Sequence, residues 1–316
     1  MEVDTVPRLG MVVPVRNPGP EWCSWLVAYS EQTRTPDALV VMDSSSDDEA
    51  AALAAQYGAR VLRVKSGEYD HGGTRQAGVD ALIDADLVIF ATQDAVLADR
   101  RSIELLVASV EADPTVGAGY GRQLPRNGAG PIETHARLFG YPPADRTTNA
   151  SDIPSLGLKA GFLSDSFACY RVSALLGVGG FPIPAAFGED AVVGARLVLS
   201  GWSIAYVSRA TVYHSHGYSL AEEARRYFDV GALHAMEPWI QDELGAASGE
   251  GARFLISEIA YLARRAPHRL PEALVRTLSK YAMYQTGRHH ALLPARLKCT
   301  LSMNPSYWRS HREVSK

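Results

Sequence analysis

Over its first 125 residues the chain alternates short apolar runs with helically spaced stretches, and this order leaves few folds open. Gly10–Val15 is a continuous apolar run, as expected of a strand buried on both faces. Ala38–Met42, Arg60–Val64, Leu87–Ala91 and Val116–Arg122 repeat the pattern. Between them the spacing predicts helices over Glu21–Gln32, Asp47–Tyr57, Gly73–Leu82 and Ser102–Ala112. Ser46 followed by Glu49 has the form of a capping box for the second of these. Such alternation predicts an α/β fold with a mostly parallel central sheet and right-handed crossovers. In sheets of this kind ligands bind at the carboxyl ends of the strands.

The middle of the chain is less regular. Leu124–Pro154 is rich in Pro, Gly, Asn and Arg, with one expected helix over Ile132–Phe139. Phe162–Arg171 and Ser203–Val207 read as strands, and Asp190–Ser200 as a helix. From Leu220 helical patterns dominate: Leu220–Met236, Gly251–Arg264 and Pro271–Gly287. The expected organisation is one α/β domain over 1–217, with a regular part over 1–125 and an irregular part over 126–217, and a helical C-terminal extension over 218–316.

The formal charge of −4 argues against a chain that grips nucleic acid by bulk positive charge. Apolar residues at 47% and charged residues at 21% suit a globular core. Cys23, Cys169 and Cys299 stand far apart, so zinc clusters and a disulfide framework are not expected and a reducing cytoplasm fits. Neither a signal peptide nor a membrane-spanning run is expected.

Polar residues follow the strands in turn. Strand one ends in Arg16-Asn17 and strand two in Asp43-Ser44-Ser45-Ser46. Asp70-His71-Gly72-Gly73-Thr74-Arg75 comes after strand three, and Thr92-Gln93-Asp94 after strand four. Any one acid could be a turn or cap residue. Four polar groups on one sheet edge point to a ligand site. Neither a G-x-G-x-x-G after strand one nor a P-loop sequence is present, so dinucleotide and P-loop chemistry are disfavoured. Acids at strand ends without a Gly-rich loop suit a diphosphate bridged by Mg²⁺ or Mn²⁺. Glu189-Asp190 stands at an expected helix start, where an acidic first turn also complements the helix dipole. His214-Ser215-His216 places two imidazoles on one side of a strand, which permits a metal site and equally permits surface histidines.

Together these segments resemble glycosyltransferase family 2, the inverting enzymes of the GT-A fold. They occur in family order: Val13-Pro14-Val15-Arg16-Asn17, Asp43–Ser46, Tyr69–Arg75, Thr92–Ala95, Gly188-Glu189-Asp190 and His214–His216. Asp70–Arg75, Arg226–Gly231 and Pro305–Trp308 look like the bacterial rhamnosyltransferase branch. The resemblance implies that Pro14, Arg16 and Asp43 line a nucleoside pocket. It also implies that Asp70 meets the base edge and that Arg75 supports that loop or the phosphates. Gln93 joins the donor-binding set, and the resemblance makes 1–217 the catalytic domain, with 1–125 its nucleotide-sugar half and 126–217 its acceptor half. The family's D-x-D is Thr92-Gln93-Asp94 here, leaving Asp94 as the metal carboxylate, and His214, 24 residues after Asp190, as its partner. Asp190 is the implied base, with Glu189 and His216 as acceptor contacts or supports.

The function implied is inverting transfer of L-rhamnose from dTDP-rhamnose, with Mn²⁺ or Mg²⁺, to a saccharide or lipid-linked acceptor in surface polysaccharide synthesis. Ser164–Phe167 and the irregular Leu124–Pro154 segment would border the acceptor. Arg264, Arg265, Arg269, Arg276, Lys280, Arg288, Arg296 and Lys298 would suit peripheral contact with an anionic membrane from the cytoplasm, or simply a solvated helix face. A homo-oligomer is left open. The rivals are a UDP-hexose donor, a sugar nucleotidyltransferase, and a non-catalytic nucleotide-sugar-binding subunit.

Overall fold

The protein is described by a computed structural model over residues 8–46, 49–65, 69–185, 187–245 and 249–310. Nine strands form one sheet: β1 (Leu9–Val15), β2 (Ala38–Asp43), β3 (Arg60–Arg63), β4 (Leu87–Ala91), β5 (Val96–Leu97), β6 (Val116–Leu124), β7 (Arg146–Thr148), β8 (Phe167–Arg171) and β9 (Ser203–Tyr213). Their order is β3-β2-β1-β4-β8-β6-β9-β5, with β7 also on β9. β1, β2, β3, β4, β6 and β9 run one way and the other three oppose them. The sheet is thus mostly parallel, as expected of the GT-A fold that the sequence resembles.

The apolar run of β1 divides between two cores. Met11, Val13 and Val15 pack with Trp22, Trp25, Ile103 and Leu106 on one face. Val12 packs with Val40, Phe90, Ala168 and Tyr170 on the other. Alternate side chains leave a strand on opposite faces, so covering both faces demands the unbroken apolar run.

Several local expectations shift. The helix after β2 is Ala50–Gln56 with no side-chain cap, and the expected start at Asp47 lies outside the described residues. Ser46 does not cap that helix: its hydroxyl accepts from Asn17 N at 3.1 Å, and its own N–H donates to Asp43 Oδ1 at 2.9 Å. The helix over His71–Asp80 begins earlier than expected because Asp70 caps it. β8 is shorter than the expected Phe162–Arg171 because a turn joins Phe167 N to Ser164 O at 3.2 Å. β9 runs six residues past the expected Val207, crossing a bulge between the Gly121 and Arg122 registers of β6. Asp145 accepts from Ser208 N and Oγ at 2.7 and 2.6 Å and pins that irregular stretch.

The C-terminal helices Leu220–Met236 and Leu270–Arg288 cross at two glycines. A Cβ on Gly231 would lie 2.1 Å from Tyr284 O, and one on Gly287 2.0 Å from Phe228 O. Among the basic residues of this region, Arg269, Arg276 and Lys280 are paired with Glu272 or Glu223. Arg288 donates to His234 O at 3.2 Å. These four therefore face protein groups rather than forming an open basic surface. No helix among the described residues is long and apolar enough to cross a membrane.

Candidate active site

Asp94 follows β4, and two residues later the chain enters β5. β5 pairs antiparallel with the end of β9, Val96 opposite Tyr213. That pairing sets Asp94 beside the residues that follow β9. Asp94 Oδ2 lies 3.5 Å from His214 Nε2 and 3.6 Å from His216 Nδ1. The ligand atoms of the three lie within 4.8 Å of one another. Arg126 fastens the turn, donating to Asp94 O at 2.7 Å and meeting Glu21 at 3.0 Å. His216, expected from the sequence as an acceptor contact or support, is thus placed in the same cluster as Asp94 and His214.

Gln123, on β6, governs the orientation of His214. Arg137 can only donate, and it donates to Gln123 Oε1. Gln123 Nε2 donates to Ser164 Oγ at 3.0 Å. The same Oε1 stands 2.9 Å from His214 Nδ1, so Nδ1 carries the proton and Nε2 turns its lone pair toward Asp94. A lone pair facing a carboxylate is the arrangement a cation relieves. Burial lowers the pKa of His214, and burial with His214 beside it pushes His216 down to about 3. Burial opposes the charge on Asp94, yet its neighbours His214 and His216 hold its carboxyl well below the usual range. Two neutral imidazoles and a carboxylate are a donor set that fits a divalent cation.

A second cluster stands at the start of the helix Glu189–Leu199. Gly188 precedes it with φ of 75°, and a Cβ there would lie 2.4 Å from Leu233 Cδ2. The turn only glycine can make carries Glu189 and Asp190 into the cavity wall. Glu189 Oε1 lies 2.7 Å from Arg75 Nη1, and Asp165 Oδ2 lies 2.8 Å from Arg75 Nε. Tyr170 donates to Asp165 Oδ1 at 2.5 Å, and Asp165 N to Asp190 Oδ2 at 3.2 Å. One guanidinium thus faces three acids. Burial, and then the charge of Glu189, push Asp190 up to about 6. Burial pushes Asp165 up to about 8 despite Arg75. Burial also opposes the charge on Glu189, but Arg75 and then His71 outweigh it and hold its carboxyl below the ordinary value.

Asp94, His214, His216, Arg75, Glu189 and Asp190 all line one cavity of about 530 Å³. A neighbouring cavity of about 740 Å³ is lined by Arg16, Ser44, Lys65, Tyr69 and residues of the 303–310 segment. The two share His71, Phe187 and Arg226. Arg226 stands 4.9 Å over the Phe187 ring. Pro14, Asp43, Asp70 and Gln93 line neither cavity and shape the edge instead. Gln93 accepts from Arg16 N at 2.6 Å and donates to Arg16 O at 3.1 Å, tying β4 to β1. Asp70 accepts from Gly73 N and Ala185 N, both at 2.7 Å. Asp43 is buried against Ser46 N, and Pro14 stays in β1 opposite Met42.

Residues 12–178 match the family described as Glycosyl transferase family 2. The chain belongs to glycosyltransferase family 2. The O-antigen chain rhamnosyltransferase RfbN of Salmonella typhimurium is 41% identical over 96% of this family 2 chain and 96% of its own. The O-antigen chain rhamnosyltransferase WbaN of Salmonella anatum is 39% identical over 96% and 97%. Among solved structures, the mannosyltransferase PcManGT of Pyrobaculum calidifontis, in complex with GDP-Man and Mn²⁺, shares the fold. It has a TM-score of 0.54 and 20% identity, over 99% of this chain and 88% of that one. S. aureus TarS residues 1–349 with UDP-GlcNAc gives 0.56 and 15%, over 96% and 87%. The family 2 chain is therefore a glycosyltransferase.

Gln123 escaped the sequence reading; it is the penultimate residue of β6, and that position near a strand end was the available signal. Asp165 lay within the Ser164–Phe167 segment and Arg137 within the Leu124–Pro154 segment expected to border the acceptor, and Arg226 within the Arg226–Gly231 resemblance, but none was singled out, because each joins the site through packing of elements distant in sequence.

Proposed function

We propose that this transferase moves L-rhamnose from dTDP-rhamnose to a hydroxyl of a growing surface saccharide, with inversion. The observation that carries the reading is the single cavity shared by the Asp94–His214–His216 cluster and Asp190. The rhamnose assignment is supported by the two curated relatives, both named as O-antigen chain rhamnosyltransferases.

Asp94, His214 and His216 would hold the divalent cation, Mn²⁺ or Mg²⁺. Bound there, it supplies a Lewis acid that offsets negative charge on a diphosphate leaving group. The nucleotide lies in the larger cavity along the carboxyl ends of β1 and β2, beside Arg16 and Lys65. Arg226, at the junction of the two cavities, meets the diphosphate as a second positive charge. Among the described residues no carboxylate stands within ion-pair distance of it, so its charge is not already neutralised.

The acceptor oxygen attacks the anomeric carbon while the bond from that carbon to the diphosphate oxygen breaks. Asp190 takes the proton from the acceptor hydroxyl, and the leaving nucleoside diphosphate carries off the bonding electrons. One displacement inverts the centre, so a β-linked donor gives an α-rhamnoside. Glu189, held by Arg75, stays ionised and keeps Asp190 basic. The acceptor is lipid-linked, and the transferase meets it at the cytoplasmic membrane surface. Exposed Ile256, Arg264 and Arg265 on the helix Glu250–Arg265, and exposed Leu278 and Tyr281 on Leu270–Arg288, support that contact.

The test is turnover with a panel of donors and Mn²⁺, using membranes from a Salmonella strain lacking its own O-antigen rhamnosyltransferase as acceptor. dTDP-rhamnose should transfer, and UDP-glucose and UDP-N-acetylglucosamine should not. Preferential use of a UDP-hexose would remove the rhamnose assignment and leave the family intact.

A further inference from the structure

Beyond the catalytic cavity a groove of about 760 Å³ continues past Arg137, Phe162, His216 and Arg226, which line both spaces. One wall is the helix Pro131–Gly140. The other comes from Leu220–Met236, Glu250–Arg265 and Leu270–Arg288 of the C-terminal extension. The catalytic cavity therefore opens in two directions, one into the donor cavity and one into this groove.

Inversion decides between them. The leaving diphosphate and the attacking oxygen lie on opposite sides of the anomeric carbon, so the acceptor must reach that carbon from the side away from the diphosphate. The donor cavity holds Arg16 and Lys65 after the ends of β1 and β3, and Arg309 from the helix Pro305–Ser310. The groove is what remains for the acceptor.

Its lining suits a sugar. Phe139, Tyr218, Tyr227 and Phe254 offer ring faces and edges for the apolar faces of pyranose rings. Glu223 lies 2.8 Å from both Arg276 and Lys280, and Lys280 stands 5.6 and 5.3 Å over the Tyr227 and Phe254 rings. Charges so paired leave little net field to draw a polyanion, yet their remaining donors and acceptors can take hydroxyls.

We infer that this groove binds the saccharide of the acceptor, and that the C-terminal extension is its second wall. This rests on the glycosyltransfer reading above. The chemistry recognised is the sugar, whether free or carried on a lipid, and two acceptor arms separate these sources. One is the rhamnosyltransferase-deficient Salmonella membranes. The other is the water-soluble saccharide released from them by mild acid.

Two variants test the groove from opposite directions. Phe254→Ala removes a ring face. Gly140→Trp fills the groove, since a Cβ on Gly140 meets nothing within 4 Å. Each should raise the apparent KM for acceptor at least about tenfold in both arms, a loss of about 1.4 kcal/mol. Affinity for dTDP-rhamnose, read by calorimetry, should stay within about twofold, as expected for a site that touches only the acceptor. Ile83→Ser, at an exposed position that lines neither the groove nor the two cavities, should change neither. Unchanged acceptor KM in both variants overturns the inference, as does equal loss of donor affinity. Loss in the membrane arm alone assigns the groove to the lipid carrier and overturns the saccharide reading. If the wild type transfers no rhamnose, the proposed function fails separately. Saturation transfer from protein to the released saccharide, abolished by Gly140→Trp, then still decides the groove.

Discussion

Asp190 is the residue on which turnover should depend most. Its carboxyl sits at about 6 because it is buried and because Glu189 beside it stays charged. A base must be ionised to accept a proton, so kcat should climb about tenfold per pH unit below about 6 and level off above it. Asn keeps the shape and cannot take the proton. Asp190→Asn should lower kcat at least about 10²-fold, abolish that acid limb and leave donor affinity near wild type. A variant that turns over at close to the wild-type rate would make Asp190 a first-turn acid of the helix and no more. Gln123 acts one bond further out. With Leu in its place His214 Nδ1 loses its acceptor, and the ring is free to turn its lone pair away from Asp94. Gln123→Leu should weaken Mn²⁺ binding, read by titration calorimetry, by about 10–100-fold, the usual effect of removing a ligand's orienting partner. Unaltered Mn²⁺ affinity would show that the Asp94–His214–His216 geometry stands without it.

At the scale of elements, the register of β5 on β9 brings Asp94, His214 and His216 together and the crossing of two helices holds the groove wall. Val96 opposite Tyr213 leaves Asp94 and His214 at adjoining strand ends. The crossing of Leu220–Met236 with Leu270–Arg288 is close enough that Gly231 and Gly287 each press on the other helix's backbone. Backbone cannot yield as a flexible side chain can. Gly287→Val should therefore destabilise the protein by about 1–3 kcal/mol or more, seen as a lowered midpoint in urea. The same variant should raise the acceptor KM more than it alters donor affinity. An unshifted midpoint would mean that the two helices separate at no cost. The acidic start of Glu189–Leu199 was legible from Gly188-Glu189-Asp190 alone, since a glycine that permits positive φ followed by two acids marks a helix entry. The partners of those acids were not legible, because Arg75 and Asp165 arrive from other elements.

Over the whole molecule, segments far apart in the chain line the cavity proposed for the donor: Arg16 and Ser44 from the first strands, and the 303–310 segment. A ligand bound there bridges the sheet and the extension, so it should stabilise them together. In a thermal-shift titration dTDP at 100 times its Kd should add about 2.7 kcal/mol, with a single transition rising in temperature, and chelating the cation should reduce the gain. No shift with dTDP, with or without Mn²⁺, would place the nucleotide elsewhere. The sequence by itself determined the order of strands and helices, the sheet edge that carries the polar residues, and the family to which the chain belongs. Periodicity, caps and strand-end motifs depend on residues within a few positions of one another, and the chain displays them without folding. The tertiary structure decided which of those polar residues face the cavity. It turned Pro14, Asp43, Asp70 and Gln93 into the frame of the edge, drew His216 to Asp94, and gave His214 its orientation through Gln123 and Arg137. It also placed the C-terminal helices against the site. Each of these outcomes depends on registers and packing between segments far apart in sequence, fixed by burying two faces of one sheet at once, and no local pattern encodes them.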